Sequence, residues 1–110
     1  MSKSIKNEAE LNKALGECSE MFVLFYASWC PYCREFLPIY EKYAGKNEQK
    51  YCSVATDMTP ECEGKYSIEI VPTVIYFKNG KPVKRLDGVG GVGLTEKQLA
   101  GLIKTCESKY

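Results

Sequence analysis

Val23-Leu24-Phe25-Tyr26-Ala27-Ser28-Trp29-Cys30-Pro31-Tyr32-Cys33-Arg34 is the stretch whose reading decides the fold. It opens inside an apolar run, Met21 to Ala27, with no polar alternation. Such a run reads as a strand covered on both faces, in the middle of a sheet flanked by helices. After Trp29 the period changes. Phe36, Leu37, Tyr40, Tyr43 and Ala44 recur at helical spacing, and Gly45 suits a stop. Pro31 fits a first helical turn, where its missing N–H would be unpaired anyway. Pro38 lies inside this helix and is expected to kink it.

Cys30 and Cys33 therefore sit where a buried strand gives way to a helix. A cysteine at a helix start lies beside unpaired backbone N–H groups and the positive end of the helix dipole. Both favour thiolate over thiol, and Arg34 adds a cation, so Cys30 is expected to act as a nucleophile. Cys33 lies one turn further on, within reach of a disulfide, and is expected to be the more buried of the two. The chemistry implied is thiol–disulfide exchange. Cys30 attacks a substrate disulfide, Cys33 resolves the mixed disulfide, and no cofactor is needed. A zinc site built from Cys30, Cys33, Cys52 and Cys62 lacks a second close cysteine pair. A purely structural disulfide would enclose only Pro31 and Tyr32, which constrains the unfolded chain very little.

Outward from this centre, Asn7 with Glu10 marks a helix start, with Leu11, Leu15 and Cys18 on one face. Lys50 to Thr56 reads as a second central strand, and Pro60 to Tyr66 as a short helix. Thr73 to Phe77 is strand again. Asn79-Gly80 is a two-residue hairpin signal leading to Pro82–Leu86. Thr95 caps a last helix with Leu99, Leu102, Ile103 and Cys106 along its inner stripe. The order helix, strand, helix, strand, helix, hairpin, helix implies early parallel pairing and an antiparallel edge. The expected fold class is α/β, a three-layer α/β/α sandwich around a mixed sheet.

At 110 residues, 45% hydrophobic and 26% charged, the chain is expected to be one domain spanning 1–110. Fifteen basic residues against 14 acidic give a net charge of +1. That balance favours no nucleic-acid or acidic-membrane partner. No apolar run is long enough to span a bilayer. The N-terminus lacks an apolar leader core, so an unprocessed, cytoplasmic chain is expected; a monomer is expected as well. Histidine is absent, which removes the commonest general base and metal ligand.

These residues together resemble the thioredoxin family over nearly the whole chain. Residues 23–34 look like its central strand, aromatic-alanine turn, Trp-Cys-x-x-Cys and following base. Pro38 matches its helix proline. Lys65-Tyr66-Ser67-Ile68-Glu69-Ile70-Val71-Pro72-Thr73 is similar to the segment carrying its cis-proline, and Phe77-Lys78-Asn79-Gly80 to its edge hairpin. The resemblance implies a thioredoxin fold and a protein-disulfide reductase recharged by thioredoxin reductase or by glutathione. It implies that Pro72 is cis and packs against the cysteine pair. The Val71 backbone would then pair with an extended substrate segment. Trp29 would shield the pair and join the docking surface, or pack into the core. Pro31 and Tyr32 complete the expected substrate-binding set.

Three departures stand out. Leu24 occupies the place of the family's usual buried acid, and Ser53 that of its partner lysine. The proton relay assigned to that pair is missing, so water, oriented by Tyr26 or Ser53, is the expected substitute, with slower proton transfer to Cys33. Cys-Pro-Tyr-Cys is the usual glutaredoxin centre, whereas thioredoxins usually carry Gly-Pro. An intermediate poise is expected, between about −270 mV for thioredoxins and about −200 to −230 mV for glutaredoxins. Asp87 to Leu94 runs longer than the family's corresponding turn by about four residues. It reads either as an element of partner choice or as a flexible hairpin exit. A glutathione-linked glutaredoxin-like enzyme and a non-catalytic binding module are the alternatives. Cys18, Cys52 and Cys106 are expected in the core, and Cys62, in a polar stretch, is the candidate for a secondary redox role.

Overall fold

The apolar run that opens the sequence forms Glu20–Tyr26 (β2), the middle strand of a mixed sheet. The computed structural model describes residues 2–57, 59–89 and 92–109. Among these residues the sheet has five strands. β2 is flanked by Tyr51–Ala55 (β3), which is parallel to it, and by Thr73–Lys78 (β4), which is antiparallel. Lys3–Ile5 (β1) pairs parallel with β3, and Lys81–Asp87 (β5) pairs antiparallel with β4, giving the order β1-β3-β2-β4-β5. Among the described residues four α-helices cover the two faces: Glu8–Glu17 (α1), Pro31–Ala44 (α2), Pro60–Lys65 (α3) and Glu96–Lys109 (α4). The thioredoxin fold expected from the sequence is the one observed.

Alternation along β2 explains how one apolar run serves two cores. Met21, Val23 and Phe25 point to the face carrying α1 and α3, where they meet Leu11 and Cys62. Phe22 and Leu24 point to the face carrying α2 and α4, where they meet Phe36, Tyr40 and Leu99. Each fully buried Phe or Leu here contributes about 1.5–3 kcal/mol relative to an exposed one. The Tyr40 hydroxyl is 2.9 Å from Phe22 O and 2.8 Å from Cys52 O, so α2 is tied to both central parallel strands.

The caps follow the sequence. Asn7 Oδ1 accepts from Glu10 N at 2.9 Å, and Thr95 Oγ1 accepts from Gln98 N at 3.2 Å. Asn79 and Gly80 turn the β4–β5 hairpin with φ of 53° and 81°, the left-handed pair that a type I′ turn requires.

Three expectations are corrected. β1 was not foreseen, because two of its three residues are exposed and carry no periodic signal; it exists by pairing with the free edge of β3. Cys18 is not a core residue. The chain leaves α1 there in extended conformation, so the thiol is half-buried and donates to Gln49 O at 3.4 Å. Cys62, expected to be available for redox chemistry, is fully buried in the core under α3. The polar residues around it in sequence belong to the outer face of the same short helix.

Burial of ionisable groups on this sheet has a pH consequence. Burial pushes the Cys52 thiol up to about 12, the Cys106 thiol up to about 11 and the Tyr51 phenol up to about 12. Their unfolded forms ionise earlier, near 9.0 for a thiol and 10.0 for a phenol. Above pH 9 the native state therefore holds more protons than the unfolded state, and stability falls as pH rises. Thermal midpoints measured under reducing conditions are expected to be level up to pH 8.5 and to decline toward pH 11. Cys52→Val should decline less steeply than the parent; identical slopes would show that this thiol carries none of the effect.

Candidate active site

The sulfur pair sits at the junction of β2 and α2. Ser28 and Trp29 form the turn between them, and Asp57, just beyond β3, clamps that turn by accepting from Ser28 Oγ at 2.8 Å. Cys30 is the N-cap of α2 and Pro31 its first residue. Arg34 N closes the first helical turn on Cys30 O at 3.1 Å. Cys30 thus stands at the unpaired N–H groups of a 14-residue helix. All six cysteines, this pair included, are free thiols.

Ala27, Cys30 and Cys33 form a small buried cluster of their own, and Tyr26 and Val71 pack against it. Cys30 is 6% exposed and Cys33 2%. Burial pushes the Cys33 thiol well up, with the neighbouring Cys30 adding to the rise and a backbone hydrogen bond from Ala27 opposing it. Cys33 is therefore held as a thiol at neutral pH. Burial also raises the Tyr26 phenol, with Asp57, Glu41 and Cys33 reinforcing the shift. Tyr26 is thus a protonated hydroxyl on a residue packed against the pair. Ser53, the other candidate for orienting a water, has its hydroxyl 3.4 Å from that of Ser2.

Leu24 and Ser53 lie directly opposite each other on β2 and β3. That register agrees with their alignment to the family's acid and lysine. Leu24 is fully buried in the core on the α2–α4 face, so this position is hydrocarbon where the family pattern has a carboxylate.

Of the expected binding residues, Val71 packs against the Ala27–Cys30–Cys33 cluster, and the Val71–Pro72 bond is cis. Trp29 is 67% exposed, which rules out the core-packing reading. Pro31 and Tyr32 are exposed on the first turn of α2. Two glycines pack the outer turn onto this surface. A β-carbon on Gly88 would lie 2.7 Å from Pro72 O, and one on Gly93, at φ +84°, would lie 2.9 Å from Tyr32 Cβ. Only glycine admits such approaches. Val89 N donates to Gly93 O at 3.1 Å, and Gly93 N to Val89 O at 2.8 Å, closing the turn. Gly90 and Gly91 of this segment lie outside the described residues. Val89 and Val92 are left exposed. Among the described residues, four of the five exposed large apolar side chains (Trp29, Tyr32, Val89 and Val92) belong to the segments around the cysteine pair. An apolar collar of this kind marks a docking surface.

The thiols do not assemble into a metal site. Cys52 and Cys62 lie in the core on the α1–α3 face, separate from the Cys30–Cys33 cluster. Among the described residues no group of three or more Cys, Asp or Glu could hold a metal ion. No helix among them is long and apolar enough to cross a membrane.

Comparison with known proteins matches this geometry. A thioredoxin family profile matches residues 2–105. The chain belongs to the thioredoxin family. The thioredoxin of Alicyclobacillus acidocaldarius is 32% identical over 99 residues, covering 88% of this chain and 94% of that protein. The solved thioredoxin of Plasmodium falciparum superposes with a TM-score of 0.84 at 27% identity, covering 94% of this chain and 97% of that one. A bifunctional thioredoxin reductase/thioredoxin of Mycobacterium leprae is 29% identical over 85 residues, covering 76% of this chain and 19% of that protein. Membership makes this chain a thiol–disulfide oxidoreductase in general terms.

Sequence reading alone did not find the residues that hold the site's frame: Asp57 on the Ser28 turn, Gly93 on Tyr32, and the Thr73–Arg85–Asp87 group beside the Val71–Pro72 segment. The only signal pointing to any of them was the glycine run itself.

Proposed function

We propose that residues 1–110 act as one domain, a cytoplasmic, monomeric protein-disulfide reductase. Cys30 is the attacking cysteine and Cys33 the resolving one. The Cys30 thiolate attacks one sulfur of a substrate disulfide, forming a mixed disulfide and releasing the other substrate sulfur as a thiolate. Cys33 then gives up its proton and attacks Cys30 Sγ. The second substrate sulfur leaves and takes up a proton, and Cys30–Cys33 is left as a disulfide. Two electrons pass to the substrate. Trp29, Pro31, Tyr32, Val71 and Pro72 bind the substrate segment beside the sulfurs.

One observation carries this reading. Both cysteines are buried, but Cys30 is the N-cap of α2, beside its unpaired backbone N–H groups and the exposed apolar collar, while Cys33 lies inside the helix, where burial keeps it a thiol. The two roles in disulfide exchange need that asymmetry. Thioredoxin reductase is the proposed electron donor, supported by the Mycobacterium leprae relative whose name joins both activities in one chain. With Pro31-Tyr32 between the sulfurs, the poise lies above the about −270 mV of thioredoxins, toward about −200 to −230 mV.

The test is insulin reduction driven in turn by dithiothreitol, by thioredoxin reductase with NADPH, and by glutathione. Turnover with the first two, and a potential above that of thioredoxin, are expected. Turnover with glutathione alone would move the protein to the glutaredoxin-like class. No turnover with any donor, with Cys30→Ser indistinguishable from the parent, would leave a binding module.

A further inference from the structure

The segment that leads from α3 into Val71-Pro72 has no regular secondary structure between residues 66 and 72, yet three of its carbonyls are bound by side chains. Arg85 Nη1 donates to Tyr66 O at 2.9 Å, and Arg85 Nη2 to Ser67 O at 3.3 Å. Thr73 Oγ1 donates to Ile70 O at 2.6 Å. The carboxylate of Asp87 joins these two donors. It accepts from Arg85 Nη2 at 2.7 Å and from Nε at 3.2 Å, and its Oδ1 lies 3.4 Å from Thr73 Oγ1.

The strands dictate this arrangement. Arg85 and Asp87 are two residues apart on β5, so their side chains share a face. They stand opposite Ile75 and Thr73 on β4. The bridge therefore spans the edge of the sheet next to the segment it holds. Ser67 has φ of 53°, a left-handed conformation that a non-glycine residue keeps only when its surroundings fix it. Its N–H is taken by Gly64 O at 3.3 Å and its carbonyl by Arg85. The guanidinium fork suits this task because its N–H groups reach two carbonyls and a carboxylate at once.

We propose that Arg85, braced by Asp87 and Thr73, is a positioning residue that fixes residues 66–70 and thereby holds the Val71 backbone where an extended substrate segment pairs with it. The proposal rests on the reading of Val71 as a substrate-binding residue. It adds a specificity device: substrates that lie along the segment depend on Arg85, and disulfides too small to do so do not. Sulfur chemistry is not altered by it, since Arg85 belongs to β5 and not to the cluster around Cys30 and Cys33.

The experiment compares the pre-reduced parent, Arg85→Met, Arg85→Lys and Asp87→Asn in single-turnover oxidation followed by Trp29 fluorescence. Excess insulin is the extended substrate and hydroxyethyl disulfide the small one. For Arg85→Met the half-saturating insulin concentration is expected to rise about three- to tenfold, with the limiting rate within twofold of the parent. Its rate with hydroxyethyl disulfide should be unchanged within twofold. Arg85→Lys keeps the charge but not the fork, and should behave like Arg85→Met. Asp87→Asn, which leaves the guanidinium unbraced, should shift the same way by a smaller factor. Should Arg85→Met not fold, Arg85→Lys and Asp87→Asn carry the comparison. Parent-like half-saturation in every folded variant, or an equal loss with both disulfides, would overturn the proposal. A parent that oxidises with neither disulfide would overturn the reductase reading itself.

Discussion

Cys30→Ser is expected to lower insulin reduction by about 10³-fold or more, equivalent to about 4 kcal/mol of barrier, with little change in stability. Serine matches cysteine in shape but its hydroxyl is not ionised near neutral pH, so no thiolate is present to attack the substrate disulfide. Cys33→Ser should fail differently. Its first step is intact, because Cys30 at the N-cap of α2 still attacks, but the mixed disulfide has no resolving thiol. Intact-protein mass spectrometry should then show the variant covalently joined to substrate, an adduct the parent does not accumulate. In the parent, burial holds the Cys33 proton on. Release of substrate from the mixed disulfide should therefore speed up with pH, as the Cys33 thiolate fraction grows. If Cys33→Ser keeps full multiple turnover and traps nothing, the assignment of Cys33 as resolving cysteine is wrong. A Cys30→Ser variant with parent-like activity would remove the proposed mechanism altogether.

Legibility in the sequence followed the strength of local signals. The central strand, the Cys30-Pro31 helix start, the Asn79-Gly80 turn and the Thr95 cap are each dictated within a few residues. Each appears where the pattern places it. β1 was invisible because only Ile5 of its three residues is buried; its existence depends on the exposed edge of a strand nearly 50 residues away, through the pairing of Lys3 with Cys52. The burial of Cys62 is hidden in the sequence for a related reason. A single turn and a half of helix carries too few residues to show which face is apolar. At the site, the cysteines and the Val71–Pro72 segment were legible because their chemistry lies in adjacent residues. The Arg85–Asp87–Thr73 bridge was not. Arg85 and Asp87 on an edge strand look like ordinary solvated charges, and only the strand register brings them beside the carbonyls they bind.

Strand register also gives the buried Leu24 position its significance. Leu24→Asp would restore the family's carboxylate opposite Ser53, and it is expected to weaken the protein rather than to improve it. Leu24 is fully buried in the core cluster that includes Phe36 and Val74 on the α2–α4 face. Loss of such a leucine costs about 2–5 kcal/mol from transfer and cavity effects alone. A carboxylate in the same place has no lysine partner, since Ser53 stands where the family's lysine would be, and it must be desolvated as well. A total of about 4 kcal/mol or more at pH 7 is a large share of the about 5–15 kcal/mol that holds a domain together. It should lower the thermal midpoint by roughly 15–30 °C. The pH dependence identifies the cause. Burial raises the pKa of the folded-state carboxyl above its unfolded value of about 3.9, so the unfolded state loses its proton first as pH rises. The penalty is then smallest near pH 4 and grows toward neutrality. Leu24→Asn, similar in shape and uncharged, should carry a penalty that does not change over that range. Urea midpoints for the three proteins from pH 4 to pH 8 make the comparison. Parallel curves for Asp and Asn would mean that the charge is solvated. A Leu24→Asp protein as stable as the parent and faster in insulin reduction would mean that the core around residue 24 already accommodates a relay, and that this chain differs from its family in residue identity but not in mechanism.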